Sequence, residues 1–232
     1  SGDSIDTESL SMSTLFSNHP LGNPIIGNED VVKKISEKEL SEKRRNFYIP
    51  ERCIITINTS YSEIETIKAL ETYFGNFWEH TKQSNPNRVT AENTIPSLSK
   101  LRKPQNALCL QNNPDNQFAV KMIFPTIGGL SRDIVLITFL QRILDDGICT
   151  RLPANIREKH GLVYDISCDT QFFNEIGTFS IDATVSEDRL NELLEKLASE
   201  LKTVISEYPL KEEIEHIKFR YCFDLKQIKE TP

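Results

Sequence analysis

Two short runs of alternating residues, Val163–Cys168 and Gly177–Thr184, precede a long amphipathic stretch that opens at Ser186. Period-two alternation over such lengths describes antiparallel strands, each covered on one face. After Ser186, Leu190, Leu193, Leu194, Leu197, Leu201, Val204 and Ile205 fall along one side of a helix, and Pro209 breaks it. A sheet with one apolar face and a helix with one apolar stripe cover each other. The expected fold class is therefore α+β, an antiparallel-rich sheet in a sandwich with helices packed on one face.

The rest of the chain is punctuated in the same way. Residues 8–18 read as helical and run into HPLGNPIIGNED, where two Pro and two Gly interrupt any regular element. Ser36-x-x-Glu39 and Ser62-x-x-Glu65 are capping boxes. The first helix should end near Tyr48, because Pro50 disfavours helix at the residue before it. The second carries Ile64, Ile67, Leu70 and Phe74 at helical spacing and stops at Gly75. Between them Cys53–Asn58 reads as a buried strand. Thr81 to Pro104 is polar and proline-rich, placing a linker over 85–105 between regions 1–84 and 106–232. Beyond it, Ala107–Gln111 and Phe118–Phe124 read as strands. A helix capped by Ser131 has almost no polar face and is expected to be buried, and a last helix runs toward Gln227. The order strand then helix recurs in both regions, as an internal duplication would produce.

Charge and cysteine usage exclude some functions. With 34 acidic and 27 basic residues the formal charge is -7, the wrong sign for displacing counterions from nucleic acid. Lys33, Lys34, Lys43, Arg44 and Arg45 cluster locally, but Glu37, Glu39 and Glu42 interleave with them as on a solvated helix face. No apolar run is long enough to span a bilayer. SGDSIDTESL lacks the features of a secretory signal, so any targeting segment would lie upstream of Ser1. The five cysteines, odd in number and never paired as CxxC, suggest buried thiols in a reducing compartment such as the cytoplasm.

The densest chemistry lies in Gly147–Tyr164, GICTRLPANIREKHGLVY, where Arg157 and Tyr164 stand seven residues apart across Gly161. This segment resembles the Arg/Tyr motif in the second domain of the M16 zinc metallopeptidases, the insulinase and mitochondrial-processing-peptidase family. His19–Gly27, HPLGNPIIG, resembles a turn late in that family's first domain, and YIPERCIITINTSYSEIETIKALETYFG resembles the strand and helix that close it. The resemblance makes 1–84 the end of a first M16-like domain and 106–232 a second, carrying the motif. It implies that Arg157 and Tyr164, with Gly161 between them, contact substrate and stabilise the oxyanion at a zinc site held by the opposing half or a partner subunit. The implied partners are a peptide or unfolded-protein substrate and an HxxEH-bearing half, in a homo- or heterodimer.

The family's HxxEH zinc motif is absent from these residues. None of His19, His80, His160 and His216 belongs to such a motif, and the near miss Asn76–His80 has Asn in the first ligand position. Zinc is thus expected in the intact peptidase or its partner, and not on this chain. Two non-peptidase readings accompany this: a non-catalytic M16-like subunit for recognition or scaffolding, and a structural core subunit of a respiratory complex. Residue chemistry alone suggests something plainer, Arg157 in a charged surface turn and Tyr164 a core aromatic beginning a strand. His160 reads as a solvated turn histidine and His19 as a loop-stabilising hydrogen-bond partner. Gly22 and Gly27 are expected at positive φ. Gly128-Gly129, without the lysine and spacing of a phosphate loop, reads as a turn.

Overall fold

The computed structural model describes residues 6–17, 19–49, 52–75, 107–110 and 117–230. Contacts group the described parts of Ser1–Ile25 and Pro96–Thr231 into one unit, and those of Ile26–Ile95 into another. The proposed linker and Asn76–His80 lie outside the described residues.

The larger unit is built on three antiparallel strands in the order β1 (Gln117–Ile127), β3 (Ile176–Ser186), β2 (Ile166–Phe172). Its register pairs Met122 and Cys168 with Ile181, and Lys121 and Ser167 with Asp182. Alternation along β3 sends Phe179, Ile181, Ala183 and Val185 into the core. Helix α6 (Leu190–Ser206) seats Leu193 and Leu197 in that core, fully buried. Each such leucine contributes roughly 1.5–3 kcal/mol by leaving water. Ile205, expected on the same stripe, lies outside it and is exposed. Ser186 starts a single 3-10 turn, Glu187–Arg189, ahead of α6. Helix α7 (Lys211–Glu230) follows Pro209.

Two elements join this sheet from a distance. Helix α1 (Thr7–Leu15), capped by Asp6, buries Met12 on its own length and Phe16 just beyond it. Its Glu8 forms a 2.8 Å ion pair with Lys121, which also bonds Asp182 at 2.7 Å. Burial alone would lower the Lys121 pKa, but bonds to Asp182 and Glu8 reverse it and leave the ammonium group held above its usual value. Helix α5 (Ile134–Leu144) crosses to α7 through Arg142–Asp224 at 2.6 Å and an edge-to-face Phe139–Tyr221 contact. Its N-cap is Asp133; Ser131 instead accepts a bond from the Asp133 N–H within the preceding turn. Val135 and Leu136 are exposed, so α5 is buried along one side and not all round. Gly128 must be glycine, because a Cβ there would lie 2.3 Å from the Glu175 carbonyl carbon.

The smaller unit contains α2 (Glu29–Val32), α3 (Glu37–Phe47), α4 (Glu63–Leu70) and a π-helical turn, Glu71–Gly75. Both capping boxes form: Glu39 and Glu65 return to the backbone N–H of Ser36 and Ser62. Cys53–Asn58 is not a strand, and Ile54 is 92% exposed. Residues 107–110 likewise form no strand, with Leu108 and Leu110 exposed. Both runs have strand composition, but a strand exists by pairing, and neither has a ladder partner among the described residues. For the same reason Ile64 and Ile67 of α4 stay exposed.

Candidate functional site

Gly147 opens the motif segment at φ 120°, and Thr150 accepts a 3.0 Å bond from the Asp146 N–H. Arg151 then makes a two-point contact with Glu213 of α7, both bonds at 2.8 Å. That contact, with burial opposing it, holds the Glu213 carboxyl below its ordinary range, and the Leu210 N–H adds to the effect. Leu152 and Ile156 have no exposed surface. They anchor a π-helical segment, Pro153–Lys159, whose last turn carries Arg157.

The segment ends in a left-handed cap. Gly161 adopts φ 55°, its N–H donates to the Arg157 carbonyl at 2.8 Å, and the Leu162 N–H reaches the Ile156 carbonyl at 3.1 Å. Glycine takes this conformation without a Cβ penalty. Leu162 and Val163 then turn inward and are buried, while the next residue, Tyr164, is 93% exposed. Arg157 is partly exposed, and its Nε donates to Glu158 at 3.0 Å. Arg157 thus lies in the last helical turn, Gly161 caps it, and Tyr164 follows three residues after the cap. Tyr164 is neither a core aromatic nor part of a strand, since β2 starts at Ile166.

Two further groups secure this region. Asp145 accepts from the Cys168 N–H at 2.8 Å, and Gln141 donates to the Cys168 carbonyl at 2.9 Å, so α5 grips the edge strand β2. Burial raises the Asp145 pKa, against the opposing pull of the Cys168 N–H. Arg189 donates to the carbonyls of Gly161 and His160, the latter at 3.0 Å. No local pattern in VSEDRL points to that role; the contact spans 28 residues for Gly161. It could be anticipated only from the need to satisfy carbonyls at the end of a helix.

The other singled-out residues have structural roles. His19 is buried and its Nδ1 accepts from the Leu21 N–H at 3.1 Å. Gly27 is at φ 79°. Gly22 is not at positive φ; it is required because a Cβ would lie 2.5 Å from the Phe16 carbonyl oxygen. Of the five cysteines Cys168 alone is buried, and the other four are exposed, contrary to the expectation of buried thiols. Among the described residues no group of three His, Cys, Asp or Glu side chains is placed to hold a metal ion. The donor set among the described residues does not fit zinc. Among the described residues no helix is long and apolar enough to cross a membrane.

Among the described residues, a three-stranded antiparallel sheet backed by helices is the fold of M16-like peptidase domains. The family model described as "Peptidase M16 inactive domain" matches residues 34–221, and the chain belongs to that family. It is 24% identical over 217 residues to an uncharacterized zinc protease of Bacillus subtilis, covering 93% of this chain and 49% of that protein. An uncharacterized zinc protease of Mycobacterium leprae is 24% identical over 193 residues, 83% of this chain and 42% of its own length. Among solved structures, a protease from Helicobacter pylori matches with a TM-score of 0.74 at 15% identity, over 95% of this chain and 52% of that one. A peptidase M16 inactive domain from Pseudomonas fluorescens matches at 0.70 and 16% identity, over 94% and 50%. The chain spans about half the length of the curated relatives it matches.

Proposed function

We propose that this chain is the cleft-wall half of an M16-type zinc endopeptidase and supplies Arg157 and Tyr164 to a zinc site held by another half or subunit. The observation that carries this reading is the exposure of Tyr164 beside two buried neighbours, Leu162 and Val163. A tyrosine so placed gains little from its own core, and a rigid turn holds its ring out toward a partner. The zinc-bearing half would supply the activated water. Here the Arg157 cation and the Tyr164 hydroxyl donate to the substrate carbonyl oxygen as negative charge develops on it. Fixed donors of this kind act on the transition state more than on the bound substrate.

In the intact peptidase, Arg157→Ala and Tyr164→Phe are therefore expected to lower kcat on the order of a hundredfold while changing KM much less. Unchanged turnover in both variants overturns the role. The isolated chain is expected to cleave no peptide.

A second reading is a non-catalytic subunit that complements a separate zinc-bearing one, in keeping with the inactive domain that the matching family model describes. Intact mass and an N-terminal peptide map of the native protein separate the two. An HxxEH helix ahead of Ser1 makes one polypeptide carry both halves. A native chain without those ligands moves the search to a partner.

A further inference from the structure

The turn between Arg157 and Tyr164 is fixed from outside its own sequence. Its final carbonyls, His160 and Gly161, lie at a helix C-terminus, where unpaired C=O groups concentrate partial negative charge. Both accept from the Arg189 guanidinium. Arg189 is itself anchored at the junction of two rigid elements, with Val185 of β3 buried four residues before it and Leu193 of α6 buried four residues after. It also faces Glu192, one turn along, at 3.8 Å. A planar guanidinium bridging two successive carbonyls restrains both the position and the tilt of the turn, which a single hydrogen bond would not.

We infer that Arg189 is a positioning residue for the peptidase reaction: its grip on the His160 and Gly161 carbonyls sets the relative placement of Arg157 and Tyr164. This rests on the proposed role of that pair. Arg189 touches no reacting atom; it acts by keeping two donors in register. Small displacements of such donors reduce rate steeply, about a hundredfold for an ångström.

The test uses the intact protein with its zinc-bearing half present and an internally quenched peptide mixture of random sequence as probe. Arg189→Ala is expected to lower kcat on the order of tenfold with KM within about twofold. Arg189→Lys, able to reach one carbonyl, should recover part of that loss. Backbone amide exchange should accelerate across residues 161–165 in Arg189→Ala and stay unchanged in β3. In an Arg157→Ala background the further loss from Arg189→Ala should shrink, because one of the donors it positions is already gone.

If Arg157→Ala loses turnover while Arg189→Ala keeps it, the inference fails and the role of the pair stands. If Arg157→Ala and Tyr164→Phe both keep turnover, the two fall together. A loss in Arg189→Ala with neither faster exchange at 161–165 nor recovery by lysine also overturns it, since the residue would then act elsewhere. Should Arg189→Ala fail to fold, Arg189→Lys decides: an intermediate kcat with faster exchange at 161–165 supports the inference, and wild-type values of both refute it.

Discussion

Replacing Gly161 by alanine isolates the conformational term that shapes the site. The residue sits at φ 55°, and the nearest atom to a Cβ built there is the Arg157 carbonyl oxygen at 4.0 Å, an ordinary contact. The added methyl therefore clashes with nothing, and the cost is the left-handed backbone itself. For an L-residue that is roughly 1–2 kcal/mol. Alanine also narrows the unfolded ensemble, which offsets about 0.4–1 kcal/mol. The net loss is about 1 kcal/mol, or about 2–4 °C in Tm for a chain of this size. Urea unfolding followed by far-ultraviolet circular dichroism measures it. Gly161→Asn should recover part of the loss, since asparagine tolerates this region better. Gly177→Ala is the steric contrast: its Cβ would lie 2.6 Å from the Ile127 carbonyl oxygen and 2.8 Å from that of Gln171, so both neighbouring strands must move. It should destabilise well beyond Gly161→Ala. An alanine at 161 as stable as glycine would refute the argument that the cap is held by conformation.

Other consequences are measurable on the same chain. Because Arg151 holds the Glu213 carboxyl below its ordinary 4.5, its contribution is complete above that value and fades as pH falls through the lowered folded value. Glu213→Gln should flatten that limb of an acid unfolding curve; an unchanged slope counts against the pair. Burial raises the Cys168 thiol, whereas Cys53, Cys109, Cys149 and Cys222 are exposed. Alkylation with mass readout should label those four in the folded protein and Cys168 only on unfolding, and early labelling of Cys168 refutes its burial. Lys121→Met leaves Asp182 and Glu8 without their cation, but these side chains are 28% and 40% exposed and can rehydrate. The expected loss is about 1–2 kcal/mol, below that of a fully buried pair, with faster amide exchange in α1; a neutral substitution would show that the ion pair does not hold α1.

What could be read in advance follows how local the determining interaction is. The caps at Ser36 and Ser62 form as written because donor and acceptor lie three residues apart. The alternation in 177–184 survives as the centre of β3, where both neighbours are present to pair with it. Cys53–Asn58 has equally good strand composition and remains without a ladder, because composition does not supply a partner. Ser131 was readable as a cap, yet its bond closes a turn before the helix. Within the site, the Arg157–Gly161–Tyr164 spacing was legible as a motif. The outward placement of Tyr164 was not, since it depends on the burial of Leu162 and Val163. Arg189 was illegible for the same reason: its partners are set by how β3 delivers the chain to α6.

The closure of β2 bears on what Tyr164 can meet. An extended peptide joins a sheet by offering hydrogen bonds to unpaired N–H and C=O groups along an edge strand. Among the described residues β2 is such an edge, but at Cys168 both of its backbone groups are already taken, by Asp145 and Gln141. This is the way a protein blunts an edge against strand addition. The block lies four residues beyond Tyr164, so an added strand cannot pair with β2 at Cys168. In the proposed role, recognition at this point runs through the exposed Tyr164 ring and hydroxyl. On that proposal, backbone pairing and transition-state donation use separate surfaces, and a peptide engaged by Tyr164 is not captured by β2 at Cys168.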